Sequence, residues 1–157
     1  MEFKRMLVPL DGSPLAETAL TEAVDVAKRW GGSLVLLRAV EAHTLTGDPV
    51  EAQVHVVREA EDYLTAVKAR VANEGLTRVE TSVWYGPAAD AIAEAAVFRK
   101  VDLIVMSTHG RTGLGRLVLG SVAERVLHAT RTPILLLRPQ GVPVAPAAAD
   151  VKELARV

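Results

Sequence analysis

The residues with the most chemical potential lie between Val105 and Glu124, V-M-S-T-H-G-R-T-G-L-G-R-L-V-L-G-S-V-A-E. Apolar, β-prone sequence from Val101 to Met106 gives way there to polar, glycine-rich sequence, and helical patterning resumes at Ser121. A strand, a loop and a helix start in that order suit an anion. Glycines let a ligand approach the backbone closely, and the free N–H groups of a helix start attract negative charge. The chemistry implied is phosphate binding. The competing reading is conformational: Gly110, Gly113, Gly115 and Gly120 shape turns, the commonest role of loop glycines. Ser121 and Glu124 likewise match an S-x-x-E capping box. Asp11 would close a turn, Met106 would be core, and Arg111 and Arg116 would be solvated charges.

Several phosphate and catalytic chemistries are excluded by what is missing. Gly110-x-x-x-x-Gly115 is followed by Arg116 and Leu117, where a P-loop needs a phosphate-binding lysine and a magnesium-binding hydroxyl. The dinucleotide fingerprint belongs at the first strand-to-helix turn, which here reads Asp11-Gly12-Ser13. There is no G-x-S-x-G nucleophile elbow, and no H-x-G-H or S-G-G-x-D-S stretch of an adenylyl transferase. The histidines, His43, His55, His109 and His128, lack metal-ligand spacing, and the chain has no cysteine for a disulfide or thiolate site. No obvious general base or nucleophile is poised beside the loop in the sequence, so no residue is assigned a catalytic role; slow hydrolysis of a bound phosphate ester is the most that would be expected.

The elements that must position this loop follow from periodicity. Phe3 to Leu10 reads as a strand, and Ser13 with Pro14 reads as the cap and first position of a helix. Leu15, Ala16, Ala19, Leu20, Ala23, Ala27 and Trp30 then recur at helical spacing up to Gly31-Gly32. Ser33 to Val40 is a nearly continuous apolar run, as expected of a strand covered on both faces. A polar loop, 41–48, leads to the longest helical pattern, Val50, Val54, Val57, Leu64, Val67 and Val71, ended by Gly75. Arg78 to Tyr85 alternates and is assigned to an exposed edge. Ala88 to Arg99 is helical with Ile92, Ala95, Ala96 and Phe98 to bury, Val101 to Met106 is a continuous apolar strand, Ser121 to Ala129 is a short helix, and Ile134 to Leu137 is a last buried strand.

Strict β-α alternation with such apolar strands implies an α/β fold: an open five-stranded parallel sheet with helices on both faces, Rossmann-like. Ligands then bind at the carboxyl ends of the strands, at a switch point, and if strands one and four are neighbours there, one crevice receives both of their loops. The length, 157 residues, suits one domain that buries roughly 70% of its unfolded surface. Residues 1–139 form that domain, and the Pro/Ala-rich stretch 140–157 forms a tail too short to be a stable helix alone. A formal charge of −1 with interspersed signs leaves no basic footprint for nucleic acid. No apolar run is long enough for a signal peptide or a membrane span, so a cytoplasmic protein is expected, with no membrane partner.

Gly110 followed after nine residues by Gly120-Ser121, together with Pro9-Leu10-Asp11 and the closing Thr132-Pro133-Ile134-Leu135-Leu136-Leu137-Arg138, resembles the universal stress protein family over about residues 2 to 139. Its ATP-binding members carry G-x-x-G-x9-G-[S/T], and Ser107 stands where this chain would have the first glycine. The resemblance implies an adenine-nucleotide alpha hydrolase-like fold, of strand order 3-2-1-4-5. It also implies a bound adenine nucleotide, ATP or else ADP or AMP, with magnesium or manganese held through the phosphates. Matched by position, Asp11 would contact the ribose or adenine region, Pro9 would belong to the binding site, Ala39 would take the place of an adenine-contacting valine, and Met106 and Ser107 would line the pocket. Gly110, Gly120, Ser121 and Val122 would contact ribose and phosphates. A homodimer through the last strand, a stress-response switch that a protein partner reads, and, alternatively, a nucleotide-free interaction protein of the same fold complete what the family implies.

Overall fold

The computed structural model describes residues 2–41, 48–108 and 119–138. In chain order these form β1 (Arg5–Pro9), α1 (Pro14–Trp30), β2 (Ser33–Val40), α2 (Pro49–Asn73), β3 (Val79–Tyr85), α3 (Ala88–Phe98), β4 (Leu103–Ser107), α4 (Ser121–Ala129) and β5 (Ile134–Leu137). All the strands pair in parallel, in the order β3-β2-β1-β4-β5. The expected fold class, strand order and edge position of β3 are therefore found. The tail, 140–157, lies outside the described residues.

Alternate side chains of a strand point to opposite faces, so the central strands feed two cores. Met6, Val8, Leu34 and Leu36 pack with Ala19, Ala23, Leu64 and Val67 of α1 and α2. Leu7, Val35, Leu37 and Ile104 pack with Ala95 and Ala96 of α3 and with Ala123 and Val126 of α4. Two covered faces explain why β1, β2 and β4 lack polar alternation.

Local chemistry sets the element ends. Ser13 Oγ accepts the Ala16 N–H at 3.1 Å, with Pro14 at the first position of α1. Asp48 Oδ1 accepts the Val50 N–H at 2.8 Å to start α2. β1 begins at Arg5 rather than Phe3, because the amides of Lys4 and Arg5 donate to the Asp102 carboxylate instead of a strand neighbour. β4 is shifted towards its carboxyl end and includes Ser107.

Three expectations are corrected. Phe98 is 71% exposed: it lies to the side of the inward stripe of Ile92, Ala95 and Ala96 and meets Trp84 edge-on at 6.1 Å. β5 is not buried; as a terminal strand it has a neighbour on one side, and Leu135 is 36% exposed. The capping box at Ser121 is not formed, because Gly120 is the N-cap and no side chain caps α4. The first apolar positions of α2, Val50 and Val54, are also 66% and 54% exposed. Its 25 residues reach about 37 Å at the helical rise, whereas the 7 residues of β3 span about 23 Å, so the first turns overhang the sheet.

Two contrasts test these assignments in urea unfolding. Leu64→Ala should cost about 2–5 kcal/mol by opening a core cavity, whereas Val54→Ala should change stability by less than about 0.5 kcal/mol. Ser13→Ala should cost about 1 kcal/mol as a lost cap; Ser121→Ala should cost less than about 0.5 kcal/mol, because its hydroxyl caps nothing.

Candidate functional site

β1 and β4 are sheet neighbours, with Met6 beside Leu103 and Leu7 beside Ile104. The chain leaves β1 towards α1 on one face, and the chain after β4 reaches α4 on the other. Loops that diverge from adjacent strand ends leave an opening between them, and a crevice of about 350 Å³ lies there. Pro9, Asp11, Ala39, Met106, Ser107, Gly120, Ser121 and Val122 all line it. Gly110 lies outside the described residues, as do Gly113, Gly115, His109, Arg111 and Arg116.

Other lining residues went unassigned in the sequence: Leu10, Ala16, Leu37, Ala88, Ile92, Thr108 and Ala123. A signal for some of them existed. Leu37 shares a strand face with Ala39 by the two-residue period, and Ala88 and Ile92 share a helix face by the four-residue spacing. Together these four give the crevice an apolar wall from β2 and α3.

Asp11 Oδ1 accepts the Ser13 N–H at 2.9 Å, so Asp11 does close a turn. The same bond fixes the carboxylate at the crevice wall. At the opposite side, Gly120 N–H donates to the Thr108 carbonyl at 2.9 Å, and Thr108 N–H donates to the Leu137 carbonyl at 2.8 Å. These bonds tie the start of α4 to the end of β4 and β5. The Gly120 amide is thus engaged within the protein.

A helix start leaves four amides without intrahelical partners. In α4 the Gly120 amide is taken by Thr108, and the first helical bond runs from Glu124 N–H to the Gly120 carbonyl at 2.9 Å. The amides of Ser121, Val122 and Ala123 have no acceptor among the described residues. All three residues line the crevice. Met106, Ser107 and Thr108 are buried at its floor, two of them with hydroxyls. Chemically, this is an apolar wall for a flat ring, a carboxylate acceptor for hydroxyl groups, and an open helix start for an anion. Among the described residues no group of three or more His, Asp or Glu is placed to hold a metal ion, and no helix is long and apolar enough to cross a membrane.

Comparison with known proteins agrees with this architecture. The model of the universal stress protein family matches residues 2–138. A universal stress protein of Methanocaldococcus jannaschii is 33% identical over 141 residues, which cover 87% of this chain and 82% of that protein. A solved universal stress protein in complex with cAMP superposes with a TM-score of 0.60 at 26% identity, over 87% of this chain and 98% of its own. The universal stress protein of Archaeoglobus fulgidus in complex with dAMP has the same fold, with a TM-score of 0.64 at 22% identity over 87% of this chain and 98% of its own. By the extent of the family match and by its strand order, this chain belongs to the universal stress protein family.

Proposed function

We propose that the protein binds an adenine nucleotide, ATP foremost, in the crevice between β1 and β4. Occupancy then acts as a conformational or oligomeric switch that a partner reads during the stress response. The observation that carries this reading is the set of three open amides at Ser121, Val122 and Ala123, residues that line the same crevice as Asp11. An anion at those amides meets the positive end of the α4 dipole. In this reading Asp11 accepts from the ribose hydroxyls, Leu37, Ala39 and Ile92 cover the base, and α4 holds phosphate. Gly110 extends the phosphate contacts, and magnesium or manganese arrives with the nucleotide. The cAMP complex of the related protein supports an adenine nucleotide as the class of ligand.

A cytoplasmic homodimer through β5 belongs to the same reading. β5 is a sheet edge, whose unpaired backbone groups favour pairing with another strand. Leu135 on β5 and Leu127 on α4 are exposed apolar side chains.

A ligand that binds only the native state at a hundredfold excess over its Kd stabilises it by about 2.7 kcal/mol. Mg-ATP should therefore raise the melting temperature, and acid extracts of the purified protein should contain adenine nucleotide. Gly120→Val should abolish both while remaining folded, since Gly120 has φ −60°, a value open to any residue. No shift at millimolar ATP and an empty extract would overturn the reading in favour of a nucleotide-free interaction protein of the same fold. Leu135→Asp should convert dimer to monomer in sedimentation; a wild-type monomer would remove the β5 interface.

A further inference from the structure

We propose that Arg38 is a positioning residue for this crevice. Its guanidinium, seated on the Tyr63 ring, forms the back wall of the Asp11-Gly12-Ser13 turn and so holds the Asp11 carboxylate where a ligand meets it. The ligand side of the proposal rests on the nucleotide reading above.

Arg38 lies between Leu37 and Ala39, which line the crevice, so its own side chain leaves β2 on the opposite face, the side of α1 and α2. Among the described residues it has no carboxylate partner. Its place is set by a ring instead, with the guanidinium carbon 4.9 Å from the Tyr63 centroid, within the reach of a cation–π contact. Tyr63 is anchored in turn: its hydroxyl donates to Glu17 Oε1 at 2.9 Å, and Glu17 Oε2 accepts from Arg70 Nη2 at 2.6 Å. Burial, reinforced by the Glu17 carboxylate, raises the Tyr63 hydroxyl well above the usual tyrosine range, so it stays a donor. The seat beneath Arg38 therefore joins α1 and α2.

The Nη1 end of the guanidinium meets the turn. A methyl group built on Gly12 would lie 2.7 Å from Arg38 Nη1, so the arginine occupies the space that any side chain at position 12 would need. Gly12 also has φ +82°, in the left-handed region where glycine is at ease. A glycine in that conformation with open space behind it has many alternatives; with the Nη1 end of the guanidinium against it, it has fewer. The turn is then held at three points: Leu10 N–H donates to the Leu37 carbonyl at 2.8 Å, Ser13 N–H donates to Asp11 Oδ1 at 2.9 Å, and Arg38 backs Gly12. A lysine does not substitute, because an ammonium on a flexible stem lacks the planar fork that stacks on the Tyr63 ring while one nitrogen reaches the turn.

The test is a double-mutant cycle read by calorimetric titration with AMP, accompanied by amide hydrogen exchange in the ligand-free protein. Arg38→Leu should weaken AMP binding by about fivefold or more, within the range of coupled neighbours. It should also speed exchange of the Ser13 amide by about tenfold while core amides keep their protection. Arg38→Lys should behave like Arg38→Leu. In the background of Asp11→Ala, adding Arg38→Leu should produce no further loss. Fold-losses that multiply, a Ser13 amide that exchanges as in the wild type, or full affinity in Arg38→Lys would each overturn the proposal. If the wild type itself does not bind AMP or ATP, the nucleotide reading falls, and Ser13 exchange alone then decides whether Arg38 holds the turn.

Discussion

The structure depends on the parallel pairing of β1 with β2 on one side and β4 on the other. Parallel neighbours cannot be joined by a hairpin, so each connection must cross over, and right-handed crossovers put successive helices on a fixed face. Because strand order runs outward in both directions from the β1–β4 pair, α1 and α2 cover one face while α3 and α4 cover the other. The loops after β1 and β4 must then separate. The crevice is a consequence of this topology before any side chain is considered.

The side chains at the crevice show how its polar groups are satisfied. The buried strands consume their own backbone donors and acceptors in ladders, and at their ends the chain has to find others. After β1 it uses an Asx turn at Asp11, with the N-cap Ser13 beyond it. After β4 the Thr108 carbonyl takes the amide of Gly120, the first of the four at the start of α4. α1 and α2 have side-chain caps, while α3 and α4, both of which reach the crevice, have none. A hydroxyl or carboxylate cap at position 120 would compete with an incoming anion for the amides of Val122 and Ala123, and glycine leaves them open.

Much of this was legible in the residues. The apolar runs of β2 and β4, the alternation of β3, and the Ser13-Pro14 start of α1 identify their elements by period and cap chemistry alone. The strand end at Met106, Gly120-Ser121 at the helix start and Asp11 after β1 marked residues that line one crevice. What failed did so for definable reasons. Phe98 has a core residue's chemistry but lies off the inward stripe of α3. Ser121 and Glu124 satisfy a capping pattern in sequence, yet the helix starts one residue too early for the serine to cap it, since the carbonyl of Gly120 already accepts from Glu124. Arg38 carried no motif at all.

The sequence by itself determined the order and type of the elements, the double burial of the central strands and most residues at the mouth of the crevice, because those follow from local period, turn chemistry and matched spacing. Only the tertiary structure decided which amides of α4 remain open, that the Gly120 amide is used by Thr108, and that Arg38 backs Gly12 from the face opposite its strand neighbours. Those outcomes depend on contacts between residues far apart in the chain, such as Gly12 with Arg38 and Glu17 with Tyr63. Local periodicity carries no record of such contacts, because they form only when separate elements are packed together.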